Sequence, residues 1–271
     1  MADPPAWLSG KPVIALLHLP ALPGAPRNRL SLAEIREWVT RDAEAYRSGE
    51  AGGLRVDALL LENFGDVPFF PERVPAENVA FMTALACHVR SLFDLPLGIN
   101  VLRNDGESAL AVAAAAGAEF IRVNVYTGAR VADQGILQGQ AHRIQRLKHA
   151  LGSRVLVFAD VMVKHSAPLG ERALEEEVED TIQRSLADAI IVTGPATGRP
   201  PETAALRTAR IAAHGVPVYA GSGASADTIR EILHAADGVI VGSSLKVDGV
   251  VTNPVDRARV RQFLQAARNS R

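Results

Sequence analysis

Cysteine is nearly absent from this chain, with Cys87 the only one in 271 residues. That excludes an intrachain disulfide and a cysteine-rich metal site, and the setting Ala84-Leu85-Ala86-Cys87-His88 predicts a helix-packing residue. Excess charge is missing too. A formal net charge of −1 and a pI near 6.7 give no global electrostatic reason to bind nucleic acid or an anionic membrane, so any anion site must be local. No apolar run approaches the length of a membrane span, and no basic stretch leads into a long apolar one. The expectation is a soluble, cytoplasmic protein with no membrane insertion. Motifs for zinc hydrolysis (HExxH), nucleotide binding (the Walker A lysine loop) and a nucleophile elbow (GxSxG) are also absent.

Apolar residues make up 48% of the chain and charged residues 22%, which is ample for a globular core. Two short apolar runs near the end finish in glycine and serine: Val218-Tyr219-Ala220-Gly221-Ser222-Gly223 and Gly238-Val239-Ile240-Val241-Gly242-Ser243. Glycines let backbone N–H groups approach an anion, and a helix-like segment starting at Ser225 would add its positive dipole end. Gly221, Ser222, Gly223, Gly242 and Ser243 are therefore candidate phosphate-binding residues. Gly221-Ser222-Gly223 is not a dinucleotide fingerprint, because the third glycine and the following acidic residue are missing.

Six strand-helix cycles precede these two turns. Strands are predicted at Val13–Leu17, Asp57–Leu61, Leu97–Val101, Phe120–Val125, Val155–Val161 and Ala189–Thr193. The first helix opens on the capping box Ser31-Leu32-Ala33-Glu34 and runs to about Arg47. Others are predicted over Asn78–Leu92, Gly106–Ala116, Gln140–Leu151, Arg172–Leu186 and Glu202–Ala213, and a last one begins at Asn253-Pro254. Gly117, Gly152 and Gly215 close helices just before strands. The proline-bearing loop after the second strand is a candidate lid. Eight cycles of roughly 30 residues predict one (β/α)8 barrel over residues 1–271, with 1–10 and 268–271 as loose or capping ends.

Side chains alternate along a strand, so Arg122 and Asn124 share a face opposite Ile121, Val123 and Val125. The apolar set should meet the helices, which sends Arg122 and Asn124 into the barrel mouth, as a substrate-binding pair or as part of a structural ion pair. Asp160, ending a hydrophobic strand, is the first catalytic candidate. His18 and Glu62 end the first two strands, and Asn100 lies late in the third, all at the C-terminal face where such barrels do chemistry. Lys164, four positions after Asp160, can neutralise a developing anion or form an imine if desolvation lowers its pKa. His165, Thr193, Gly194 and Thr197-Gly198 can add contacts, while Asn63 and Asp66 can cap the loop after the second strand. The run Glu175-Glu176-Glu177 reads as a solvated helix face, and His142, His149 and His214 as surface residues.

Six blocks together resemble the BtpA/SgcQ family: His18-Leu19-Pro20 with Leu22-Pro23-Gly24, Glu62–Phe69, Gly98–Asp105, Phe120–Val125, Asp160–His165 and Gly221-Ser222-Gly223. The resemblance runs from about Lys11 to Phe263. It implies a TIM barrel akin to the ribulose-phosphate-binding barrels, and links to photosystem I accumulation or to sugar-metabolism operons without naming a reaction. Ser243-Ser244 stands where many relatives are expected to have Gly-Thr, and it keeps a hydroxyl.

The first expectation is an enzyme acting on a phosphorylated sugar or sugar-derived metabolite. Asp160 and Glu62 would exchange protons while Arg122, Asn100, Asn124 and Lys164 stabilise negative charge, giving isomerase, epimerase or aldol-type chemistry. Glycosidic cleavage or glycosyl transfer on a sugar phosphate is the alternative within catalysis. A non-catalytic phospholigand-binding assembly factor is the third. No cofactor is certain from the sequence, and a divalent metal bridging Glu62 and Asp160 stays open. Analogy with similar barrels suggests a homo-oligomer.

Overall fold

The computed structural model describes residues 5–47, 55–194 and 201–270. Eight parallel strands close into a barrel: β1 (Val13–His18), β2 (Ala58–Glu62), β3 (Leu97–Asn100), β4 (Phe120–Val123), β7 (Leu156–Val161), β9 (Ala189–Val192), β10 (Val218–Ala220) and β11 (Gly238–Val241). The helices between them are α1 (Leu32–Arg47), α2 (Ala76–Leu92), α3 (Gly106–Ala116), α4 (Ala141–Ala150), α5 (Leu174–Glu179), α6 (Thr203–Ala212) and α7 (Ile229–Ala235), with α8 (Arg257–Arg268) last. This is the predicted (β/α)8 TIM barrel. Every barrel strand is buried on both faces, one by helices and one by the barrel filling, so the strands read as nearly continuous apolar runs. Among the described residues no helix is long and apolar enough to cross a membrane.

Inside the barrel, Leu16, Leu60, Phe120, Phe158, Ile191, Tyr219 and Ile240 belong to one buried cluster. Trp7, from the short turn Ala6–Leu8, packs onto Phe120 and Phe158 with ring centroids 5.4 and 6.3 Å apart. This caps the barrel at the N-terminal ends of its strands. Two glycines make room for the rings: a Cβ on Gly98 would lie 2.2 Å from Phe120, and one on Gly238 2.4 Å from Tyr219.

Local signals work as chemistry requires at several ends. Ser31 N–H donates to Glu34 Oε2 at 2.7 Å and Glu34 N–H returns to Ser31 Oγ at 3.3 Å, the reciprocal box predicted for α1. Gly117 ends α3 at φ 66°, a left-handed position that costs a residue with a Cβ.

Other expectations need correction. The loop between β4 and α4 holds a hairpin, β5 (Ala129–Ala132) and β6 (Gly135–Gln138), joined edgewise by β8 (Ser166–Pro168). The last helix does not begin at Asn253-Pro254. That pair lies in a return loop where Val247 N–H donates to Pro254 O, and Asp256 caps α8 by accepting from Ala258 and Arg259 N–H. The segment after Gly223 begins with a Ser225–Thr228 turn, and helix starts only at Ile229. The predicted helix over Arg172–Leu186 is α5 followed by a π-helical turn over Asp180–Arg184. Cys87 is exposed, one step around α2 from buried Ala86. Glu177 is not simply solvated: it meets Arg130 at 3.5 Å beneath the hairpin.

Replacing Gly98 by alanine forces the new methyl into the Phe120 ring. A loss of about 1–3 kcal/mol follows from overpacking, read as a lower urea midpoint with an unchanged slope.

Candidate functional site

The strand register gathers the polar candidates before any side chain is considered. His18 stands beside Glu62, Glu62 beside Asn100, and Asn100 beside Arg122, across four neighbouring strands. Each continues the inward-facing set of its own strand, and Asp160 on β7 follows inward Phe158. The apolar filling therefore ends and a polar layer begins at the C-terminal ends of the strands.

The centre of that layer is a buried ion pair. Arg122 grips Asp160 through Nε–Oδ1 and Nη2–Oδ2, both at 3.0 Å, and Asn124 Nδ2 donates to Asp160 Oδ2 at 2.7 Å. Asn124 must then present its Oδ1 to Asn100, whose Nδ2 donates to it at 3.2 Å and to the Arg122 carbonyl at 3.0 Å. The carboxylate thus sets the orientation of two amides in series. Both readings of Arg122 meet here, since the same guanidinium is structurally paired and lines the mouth. Both Asp160 oxygens face N–H donors, an arrangement opposed to a divalent cation shared with Glu62. Among the described residues no group of three or more His, Cys, Asp or Glu side chains could hold a metal ion.

Glu62 is different in kind. Burial pushes its carboxyl above the usual range, against the opposing pull of Arg122 and Lys164. His18 lies 3.8 Å from it, and burial, with Lys246, Lys164 and Arg122 nearby, holds that imidazole well below its ordinary pKa and hence neutral. His18 Nδ1 and Asn100 Oδ1 are buried without a hydrogen-bond partner among the described residues. Desolvation also lowers the Lys164 amine, helped by Arg122.

The two Gly-Ser turns face these groups. Gly221, Ser222, Gly223, Gly242 and Ser243 line a narrow cavity together with His18, Glu62, Arg122 and Lys164. A Cβ on Gly242 would lie 2.5 Å from His18 Cε1, and one on Gly221 2.4 Å from Ile191 and 3.4 Å from Arg122 Nη2. Gly221 N–H donates to Val192 O, so this residue offers space and not a donor. Ser244 Oγ donates to Ala224 O at 2.5 Å and ties the two turns together. A second cavity of about 380 Å³ continues the mouth past Phe64, Arg103, Asn124, Asp133 and His165.

Arg103 and Lys246 take roles the sequence reading did not assign, and the loop candidates find their partners. Arg103 is buried and donates to Lys164 O at 2.8 Å. Its position just after a strand was the available signal. Lys246 is fully buried and bonded to Asp42 of α1 at 2.5 Å, behind the second turn. Asn63 and Asp66 are loop anchors: Asp66 accepts from Leu22 N–H, Asn63 and Asn78, while Asn63 Oδ1 accepts from Leu102 N–H. They stitch the supposed lid down. Thr193 Oγ1 donates to Met162 O, and His165 is exposed at the rim with φ 55°. Thr197-Gly198 lies outside the described residues.

Fold and site define a (β/α)8 barrel with a closed apolar base and a charged, partly desolvated mouth. The chain belongs to the BtpA family, whose model matches residues 9–269. It is 46% identical over 255 residues to the photosystem I biogenesis protein BtpA of Synechocystis sp., covering 94% of this chain and 87% of that one. An uncharacterized protein of Thermococcus kodakarensis is 43% identical, covering 96% and 97%. Among solved structures, phosphoribosylanthranilate isomerase of Pyrococcus furiosus aligns with a TM-score of 0.56 at 16% identity, covering 96% of this chain and all of that one. GGGPS from Thermoplasma volcanium aligns at 0.57 and 14% identity, covering 97% and 93%. These structural likenesses establish the barrel.

Two outcomes follow from the electrostatics. Asp160→Asn strands a buried guanidinium and costs about 3–5 kcal/mol, measured by denaturant unfolding. The Glu62 carboxyl has a raised folded pKa, so the native state holds the proton more tightly and stability falls as pH rises from the unfolded toward the folded value. Glu62→Gln should therefore flatten that loss, with its melting temperature above the parent at neutral pH and the advantage shrinking as pH falls to the ordinary carboxyl range.

Proposed function

We propose that this chain is an enzyme acting on a small phosphorylated sugar or sugar-derived metabolite by acid-base chemistry of the isomerase, epimerase or aldol type. The observation that carries this reading is one cavity that joins the Gly-Ser turns to Glu62, Arg122 and Lys164. The phosphate rests on the turns at Ser222, Gly223, Gly242 and Ser243, where glycines permit close backbone approach. Gly221 supplies clearance, and Arg122 Nη2 beside it adds positive charge. The rest of the ligand extends into the 380 Å³ cavity toward Arg103 and Lys164.

Glu62 is the proton carrier. A carboxyl pushed upward by burial is a better base than a free one and stays closer to neutral pH, as proton abstraction from carbon requires. Neutral His18, 3.8 Å away, can pass a proton without adding charge. Negative charge developing on the substrate falls among Arg103, Arg122 and Lys164. Asp160 serves by holding Arg122 and orienting Asn124, because its oxygens are already engaged. That engagement disfavours glycosidic cleavage, which needs two carboxyls acting separately.

Calorimetry with inorganic phosphate should show binding that Gly242→Ala weakens by about tenfold or more, ~1.4 kcal/mol. With a panel of sugar phosphates in D2O, the parent should exchange a carbon-bound hydrogen and Glu62→Gln should lose about 100-fold or more of that rate. Binding without exchange or turnover would instead support a ligand-binding assembly role, such as the name of the Synechocystis relative suggests for that protein.

A further inference from the structure

The lysines of this chain are Lys11, Lys148, Lys164 and Lys246. Lys11 Nζ donates to Leu233 O, Lys148 Nζ pairs with Asp188 at 3.0 Å, and Lys246 Nζ pairs with Asp42 at 2.5 Å. Lys164 alone has no hydrogen bond or ion pair from Nζ among the described residues. It has carboxylates in electrostatic reach, Glu62 and Asp160, but Asp160 is taken by Arg122 and Asn124. Its main chain is fixed where its head is not: Arg103 donates to Lys164 O at 2.8 Å, and Thr193 holds the Met162 carbonyl two residues earlier. Lys164 lines the narrow cavity at the Gly-Ser turns, the 380 Å³ cavity beside it, and a third of about 910 Å³ beneath the hairpin.

Burial and the Arg122 and Arg103 guanidinium groups oppose protonation of Lys164, while Glu62 and Asp160 favour it, and the net direction is downward. A lysine that acts as a nucleophile gains from that lowering. We propose that Lys164 Nζ forms a covalent imine with the carbonyl carbon of a ketose or aldose phosphate held in the mouth. The proposal rests on the phosphosugar reading above and names the reacting group as a carbonyl.

The step balances with groups already present. The neutral amine adds to the carbonyl carbon, forming C–N, while the C=O π pair moves to oxygen and takes the proton of the Glu62 carboxylic acid. The ammonium of the adduct returns a proton to Glu62, which delivers it to the departing hydroxyl. Water leaves, the nitrogen lone pair closes C=N, and a protonated imine stands beside a Glu62 carboxylate. That carboxylate can remove a proton from the adjacent carbon, with the iminium as the electron sink. Burial holds the amine below its ordinary pKa and the Glu62 carboxyl above its own, which suits both to these states.

The test is reductive trapping of the full-length protein with sodium borohydride and, separately, dihydroxyacetone phosphate, ribulose 5-phosphate and fructose 6-phosphate, with peptide mapping of the adduct. Calorimetry of the same compounds runs in parallel. The expected result is binding of at least one compound and a borohydride-dependent adduct confined to the peptide carrying Lys164. Lys164→Arg keeps a long basic side chain but should lose the adduct and the carbon-hydrogen exchange completely, with its melting temperature near the parent's. Binding without a Lys164 adduct, or exchange retained in Lys164→Arg, overturns the imine and leaves the phosphosugar reading standing. Neither binding nor adduct overturns both.

Discussion

The mouth of this barrel depends on one contact, the two-pronged grip of Arg122 on Asp160. A guanidinium buried beside the barrel axis is costly without an anionic partner, and Asp160 supplies one. Paired, they form a fixed dipole that orders its neighbours. Asn124 is turned by the carboxylate, and Asn100 is turned by Asn124. The pair also engages both Asp160 oxygens, and among the described residues Lys164 Nζ is left with no hydrogen bond or ion pair.

Around that pair the two sides of the mouth are built by opposite means. On β1 to β7, long polar side chains rise from the apolar filling. On β10 and β11, side chains are withheld, and Gly221 and Gly242 leave space that His18, Ile191 and Arg122 come close to filling. One side is charged and polar, and the other is built from residues without bulky side chains. The Ser244–Ala224 bond holds the two turns of the second side together, with the buried Lys246–Asp42 pair behind them. The hairpin and β8 form a small antiparallel sheet near Arg103 and Lys164, so the mouth is deeper on the β4–β7 side than barrel strands alone would make it.

Much of this was legible in the chain. Parallel strands buried on both faces declare themselves as apolar runs, and alternation within Phe120–Val125 was enough to send Arg122 and Asn124 inward. The capping box at Ser31 and the glycine at 117 mark helix ends because their chemistry is local. Less visible was the hairpin: strands as short as Ala129-Arg130-Val131-Ala132 and Gly135-Ile136-Leu137-Gln138 carry little periodicity. Asn253-Pro254 misled because a good cap sequence was drawn into a return loop by Val247 and Lys246, while Asp256 was free to serve instead.

By itself the sequence determined the repeat, the closed barrel, the inward polar set and the glycine-serine turns, since each follows from covalent pattern and strand alternation. It could not assign partners. Whether Asp160 is a free base or the anchor of Arg122, whether Gly221 donates an N–H or only makes room, and which lysine has no ion-pair partner among the described residues are questions of distance between strands far apart in the chain. Only the tertiary structure decided them, because burial and charge pairing arise when β2, β4, β7 and the last two turns meet around one axis. Asp160 was singled out as a carboxylate at a strand end; its neighbours made it a holder, and moved the proton chemistry to Glu62 in the function proposed.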